Sequence, residues 1–206
     1  MNSKKLFLAI VAFFALQQTQ AQFSFKPGLR GGFTFSTISE THSNYKPSFY
    51  VGGFAELNIK KHYALQPEIT YTRQGSEDVT RNYTDANSGI ERTERRDLQL
   101  DYLSFALINK FTFGPGLQIQ FGPALDVLVA DNLARRKTYN DLAFITGIAY
   151  KLSSNVTIEA RVKKGLLDVL DSDYYHNDRN DYYFFGDYNT NVNFQIGISY
   201  SFEGKK

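Results

Sequence analysis

The chain has 206 residues, of which 23 are Lys or Arg and 21 are Asp or Glu, and 16% are aromatic. This near balance of charge gives no indication of a nucleic-acid partner. The sequence contains no cysteine, which excludes disulfides, a thiolate nucleophile and a cysteine-ligated metal site.

The first predicted element is an export signal. Asn2-Ser3-Lys4-Lys5 is a short positive region, residues 6–16 are uninterrupted apolar, and Thr19-Gln20-Ala21 is a small-x-small cleavage site. This layout is that of a secretory signal peptide, because the apolar run is roughly half the ~20 residues that a membrane-spanning helix needs. We predict cleavage after Ala21. Loss of Lys4 and Lys5 then leaves 21 basic and 21 acidic residues in a formally neutral domain, 22–206.

Eight later segments alternate apolar and polar side chains, which is the pattern of β-strands with two different faces. The last is the clearest, since every even position from Val192 to Phe202 is apolar or aromatic and every odd one is polar or glycine. Asn109 interrupts the apolar face of the fourth segment. The predicted bounds, in chain order, are 25–37, 49–59, 63–74, 98–113, 117–129, 142–152, 156–164 and 192–202.

The connections between these segments alternate in length. Short turns are predicted near 60–62, 114–116 and 153–155, and longer polar loops near 38–48, 75–97, 130–141 and 165–189. Short turns at one end and long loops at the other are typical of outer-membrane barrels. The predicted fold is therefore all-β, an eight-stranded antiparallel up-and-down transmembrane β-barrel.

The alternation does not by itself say which face points inward. A soluble β-sandwich or a lipocalin-like barrel would place the apolar face inside. The polar face carries both acidic and basic side chains. Opposite charges can pair with each other inside a narrow barrel, so we place that face inward. Aromatic residues near strand ends would then form girdles at the two lipid–water boundaries. They are Phe25, Tyr63, Tyr71, Tyr102, Phe113, Phe144, Tyr150, Tyr200 and Phe202.

The inward charges predict a packed polar network rather than a pore. The interior of an eight-stranded barrel is just wide enough to be filled by side chains. Charges buried there are tolerated only if they are paired and hydrogen-bonded. A solute path through the lumen is the alternative. The residues assigned to the network are Arg30, Glu56, Glu68, Asp126, Glu159 and Arg161.

Five pieces of sequence, in this order, resemble small outer-membrane β-barrel proteins of the Bacteroidetes type, including the PorT family. They are Gly28-Leu29-Arg30-Gly31-Gly32-Phe33-Thr34-Phe35-Ser36, Val51-Gly52-Gly53-Phe54-Ala55-Glu56-Leu57, Leu65-Gln66-Pro67-Glu68-Ile69-Thr70-Tyr71-Thr72-Arg73-Gln74-Gly75, Leu100-Asp101-Tyr102-Leu103 and Ile196-Gly197-Ile198-Ser199-Tyr200-Ser201-Phe202. The resemblance implies an OmpA/OmpX-like architecture and a place in the cell outer membrane. The chain departs from the family in having Ser104-Phe105-Ala106-Leu107 where a proline often follows, and Glu203-Gly204-Lys205-Lys206 after the last aromatic residue.

Two of the long loops carry candidate contact residues. The acids and amides of residues 171–181 could offer oxygens to Ca²⁺, but they lack the EF-hand spacing, so we predict a solvated or interaction loop there. The basic residues of the second long loop could contact lipopolysaccharide headgroups. The residues assigned to these surfaces are Arg92, Arg95, Arg96, Tyr174, Tyr175, Tyr182 and Tyr183.

No catalytic site is predicted. A loop-sited hydrolase or acyltransferase would need His42, beside Ser43, or His176, near Asp178, but the spacing selects neither; His62 falls at a short turn. The sequence predicts a monomer without enzymatic activity, cofactor or metal. Its expected partners are outer-membrane lipid, lipopolysaccharide and a protein that meets the loops. The resemblance adds the alternative of a PorT-like accessory in a secretion or gliding apparatus.

Overall fold

The chain forms one closed antiparallel β-barrel in which every strand pairs with the strands before and after it in sequence. The structure, a computed structural model, describes residues 24–39, 41, 43–85, 88–133, 140–170 and 189–202. The predicted export signal lies outside these residues. The strands are β1 Ser24–Ile38, β2 Asn44–Lys60, β3 Tyr63–Thr84, β4 Glu91–Phe113, β5 Leu117–Asp131, β6 Asp141–Lys151, β7 Val156–Gly165 and β8 Asn191–Ser201.

Pairing between the first and last strands closes the ring. β1 pairs with β8 in a register that places Arg30 opposite Ser199 and Phe33 opposite Ile196. Every strand therefore has two hydrogen-bonded neighbours, which is the condition for placing a β-sheet in lipid. The predicted fold class is confirmed. Within the described ranges, no helix has the length and apolar character to cross a membrane.

The predicted loop at 75–97 is wrong, because most of it is strand. β3 continues to Thr84 and β4 begins at Glu91, so the two strands run on past their neighbours. We call residues 77–84 and 91–98 the β3–β4 ribbon. Ion pairs hold it together, including one between Arg81 Nη1 and Glu94 Oε1 at 3.1 Å. Most side chains on both faces of the ribbon are polar. Its sequence therefore lacks the alternation of apolar and polar residues from which strands were predicted.

The first predicted loop, 38–48, is also too long, since β2 begins at Asn44. Lys46 pairs with Ser36 and Pro47 with Phe35 across β1. The polar residues and the proline at the start of β2 interrupted the alternation there. The three short turns fall where they were expected, between Lys60 and Tyr63, Phe113 and Leu117, and Lys151 and Val156.

The outer surface of the barrel is apolar. Phe33 is 69% exposed and Ile196 is 59% exposed, and alternate residues on every strand follow the same pattern. This outward apolar face is the reverse of a lipocalin and excludes that alternative. Tyr102, which was expected in a boundary girdle, is instead 0% exposed and lies inside, because it occupies an inward position between Asp101 and Leu103.

An apolar cluster closes the loop end of the barrel. Val169 and Leu170, from the segment after β7, pack against residues of β1, β3 and β4. The Asp141 carboxylate holds this segment, because its Oδ1 accepts hydrogen bonds from the backbone nitrogens of Leu166 (3.3 Å) and Leu167 (3.1 Å). The full set of buried members is Ile38, Val79, Leu98, Leu100, Tyr102, Val169 and Leu170.

Candidate functional site: the charged barrel interior

Strand alternation points all six of the assigned charged side chains into the barrel. Arg30 lies on β1, Glu68 on β3, and Glu159 and Arg161 on β7, and these four are buried. Because each strand tilts and pairs in a fixed register, residues far apart in sequence reach the same height of the lumen. Arg30 and Glu159, for example, are 129 positions apart and in direct contact.

Two arginines and two glutamates form a closed hydrogen-bonded group, here called the Arg–Glu quartet. Arg30 Nη1 donates to Glu68 Oε2 at 2.7 Å, and its Nε and Nη2 donate to Glu159 Oε1 at 2.9 and 2.6 Å. Arg161 donates from Nη1 and Nη2 to both oxygens of Glu68, at 2.9 and 3.0 Å, and from Nη2 to Glu159 Oε2 at 3.0 Å. The quartet is formally neutral, and each guanidinium bridges both carboxylates.

Two further side chains complete the quartet. Tyr50 Oη donates to Glu159 Oε1 at 3.2 Å, and its ring centroid lies 4.7 Å from Arg30 Cζ, within the range of a cation–π contact. Gln66 Nε2 donates to Glu68 Oε1 at 2.6 Å. The sequence analysis missed both. The alternation of β2 and β3 places both side chains toward the lumen, and this was the signal that could have identified them. Tyr50 was passed over because an aromatic residue on the polar face was not expected to bind a charged group.

The other two assigned charges pair with lysines on either side of the quartet, and Gln66 links one of these pairs to it. Towards the short turns, Lys110 Nζ donates to Glu56 Oε2 at 2.7 Å and to Gln66 Oε1 at 2.9 Å. Towards the loops, Lys163 Nζ donates to Asp126 Oδ2 at 2.5 Å. Lys110 and Lys163 were not assigned to the network, although both stand at inward positions of their strands. The structure thus brings four of the six residues together and gives the other two lysine partners.

Little open space remains beside the quartet. A cavity lined by Arg30, Glu68, Thr70 and Thr72 has a volume of about 10 Å³. That is room for about one water molecule. The charged side chains therefore leave little open space at this level of the barrel.

We expect the purified protein to show no discrete channel conductance in a planar lipid bilayer, because an ion would have to separate buried ion pairs to pass. The measurement is single-channel recording at low and high salt, with a water-filled porin as a positive control. Stable unitary currents from the wild-type chain would contradict this expectation and favour the solute-path alternative.

The ribbon separates the three arginines that were expected to act together. Arg92 Nε pairs with Asp85 Oδ2 at 3.3 Å, whereas Arg96 Nη2 donates to the carbonyl of Asn132 at 2.7 Å. Arg95 is exposed. Within the described ribbon, Arg95 is the one of the three whose guanidinium has no ion-pair or hydrogen-bond partner. Elsewhere on β3 and β4, Arg73 Nε pairs with Asp101 Oδ1 at 3.1 Å.

The remaining candidate residues give no assembled site. His62 lies in the β2–β3 turn, where its Nδ1 is 3.1 Å from the carbonyl oxygen of Thr112. Across the described part of the chain, no group of three or more His, Asp or Glu could hold a metal ion. The other calls fall outside the described residues: His42, His176, the segment 171–181, Tyr174, Tyr175, Tyr182 and Tyr183.

Comparison with known proteins points to the same class of barrel. The family model described as "Outer membrane protein beta-barrel domain" matches residues 18–205. The crystal structure of Neisserial surface protein A is similar, with 15% identity, a TM-score of 0.50, and coverage of 87% of this chain and 96% of that one. The outer membrane protein OprG from Pseudomonas aeruginosa has 10% identity and a TM-score of 0.50, with coverage of 90% and 100%. At these identities the likeness shows the fold. No curated protein matches the sequence.

Proposed function

The chain belongs to the outer membrane protein β-barrel domain family, and from that premise we propose that it is a structural and interaction module of the outer membrane. The proposal includes export by a signal peptide that is cleaved after Ala21, leaving one barrel domain, 22–206. The intact mass of protein extracted from membranes tests this step. A mass that includes residues 1–21 would contradict it.

The β3–β4 ribbon is the observation that carries the proposal. β2 begins at Asn44, opposite Glu77, and β5 ends at Asp131, opposite Leu100. Beyond these points, the ribbon strands pair only with each other among the described strands. The ribbon therefore extends past the barrel with charged side chains on both faces. Because paired charges occupy the described interior of the barrel, surface contact at the loop end is the role that the remaining geometry supports.

The ribbon also sets the expected partners. Its exposed guanidinium, Arg95, and the half-buried Arg96 suit phosphate-bearing lipopolysaccharide headgroups, and its acids suit a basic protein surface. We propose that the barrel works as a monomer and that the ribbon, together with the predicted loop at 165–189, meets a protein partner. The proposal assigns the chain no catalytic activity and no cofactor.

Shortening the ribbon tests this role. Replacing residues 82–93 by Asn-Gly closes a two-residue hairpin directly at the Arg81–Glu94 pair, so the barrel strands keep their register. We expect normal outer-membrane levels and a normal heat-modifiable band, but the same phenotype as deletion of the whole chain. The exchange of Arg81→Glu with Glu94→Arg is the length-matched control. Full function of the shortened chain would contradict the proposal.

A PorT-like accessory role in secretion or gliding is the alternative, supported by the sequence pieces that resemble that group. It predicts that deletion causes a secretion defect and that a partner co-purifies from membranes. A loop-sited hydrolase would require His42 or His176. That alternative predicts labelling by a serine-directed probe that is lost in His42→Ala or His176→Ala, and absence of labelling would remove its basis.

A further inference from the structure

Charge is distributed unevenly along the axis of the barrel. Residues 77–101, at the loop end, contain seven acids and four arginines. At the short-turn end, five lysines accompany a single described acid, Glu56. These lysines are Lys26, Lys60, Lys61, Lys110 and Lys151. A chain whose barrel domain is formally neutral therefore presents a strongly basic end.

Among the described residues, Lys110 is the one of these five lysines with a hydrogen-bonded partner, although the Glu56 carboxylate also attracts Lys26 and Lys151 electrostatically. Lys110 donates to Glu56 and Gln66, as described above. The other four make no hydrogen bond or ion pair with any described residue. By contrast, Lys163 and Lys164 at the opposite end donate to Asp126 and Thr190. We call four of the five lysines, Lys26, Lys60, Lys61 and Lys151, the short-turn rim.

The rim lies at the border of the apolar outer surface. Lys60 follows Ile59, the last exposed hydrophobic residue of β2, and Lys26 and Lys151 adjoin the exposed Phe25 and Tyr150 near the short-turn ends of β1 and β6. A lysine directly beyond the last lipid-facing residue of a strand holds its ammonium group at the depth of the lipid headgroups. Lys60 and Lys61 are themselves exposed, in the β2–β3 turn.

We propose that the short-turn rim binds the phosphate groups of anionic phospholipids in the membrane leaflet on that side. In outer-membrane barrels the short turns face the periplasm, so this leaflet is the inner one. The inference rests on the barrel lying in a membrane and not on the role proposed for the loops. Each lysine near an anionic surface strengthens attraction roughly fivefold in affinity, and salt weakens it.

The test measures lipid enrichment around the full chain purified from membranes. The protein is placed in nanodiscs of phosphatidylcholine mixed with phosphatidylglycerol, and the lipids retained by the protein are counted by native mass spectrometry. Lys60→Gln with Lys61→Gln removes two rim charges. Lys46→Gln, at the loop end, removes a charge that likewise has no ion-pair partner in the described structure, and serves as the control.

We expect the wild-type chain to retain phosphatidylglycerol in preference to phosphatidylcholine. The rim variant should lose about 25-fold of that preference, following the roughly fivefold effect per lysine, whereas the control variant should keep it. Both variants must still give a heat-modifiable band, which shows that the barrel is folded. If the rim variant gives no such band, Lys151→Gln takes its place. The inference would be overturned if the wild type showed no preference for phosphatidylglycerol. It would also be overturned if an acidic protein occupied the rim and no such preference were seen. Equal loss in both variants would also overturn it.

Discussion

Replacing Arg161 by methionine is expected to cost about 3–5 kcal/mol of unfolding free energy, the usual penalty for removing one partner of a buried ion pair. Its guanidinium donates to Glu68 twice and to Glu159 once, and its side chain is fully buried. In the variant, Arg30 alone would neutralise two buried carboxylates. Denaturant titration in detergent micelles, followed by the heat-modifiable gel band, measures the loss.

A second substitution separates lost charge balance from lost packing. Arg161→Met with Glu68→Gln removes one charge of each sign and leaves the contacts between Arg30 and Glu159 in place. We expect this double variant to regain most of the stability that the single variant loses. Arg92→Met is the control, because the Arg92 side chain is 57% exposed and its ion pair is worth about 0–1 kcal/mol. Equal stability of Arg161→Met and wild type would show that the quartet is not a structural element.

Replacing Gly197 by alanine is expected to destabilise the β1–β8 seam by about 1–3 kcal/mol or more, as overpacking of a filled core does. A Cβ at Gly197 would lie 2.2 Å from Tyr50 Oη and 2.3 Å from the carbonyl oxygen of Gly31. The tyrosine would have to leave Glu159, and the backbone of β1 would have to move away from β8. Loss of the heat-modifiable form at lower temperature measures the effect.

Gly53→Ala is the matched control for this substitution. A Cβ at Gly53 meets its nearest atom, the carbonyl oxygen of Gly28, at an ordinary contact distance of 3.7 Å. We expect a change within about 0.5 kcal/mol. Combining Gly197→Ala with Tyr50→Phe removes the hydroxyl from the clash, but the contact with Gly31 remains, so only partial recovery is expected. Wild-type stability of Gly197→Ala would show that the seam tolerates a larger separation.

The sequence by itself determined the strands and their orientation. In an up-and-down barrel, each strand pairs with its sequence neighbours. Alternation sorts the side chains onto two faces, and the charges of both signs on one face identify it as the face toward the lumen. The run from Val192 to Phe202 therefore identified β8, and the inward charges of β1, β3 and β7 could be named before any contact was known. The signal failed where both faces are polar, as in the ribbon around Arg81 and Glu94.

Only the tertiary structure decided which charges meet. Arg30 and Glu159 lie on β1 and β7, which are not neighbours, and their contact depends on ring closure through β8, on register and on strand tilt together. A shift of two residues in one pairing would keep every side chain on its predicted face and still change the partners. The same dependence hid the pairing of Lys110 with Glu56 and the closure of the loop end by Val169 and Leu170. Periodicity fixes the face of a residue, whereas its neighbours across the lumen follow from the geometry of the whole barrel.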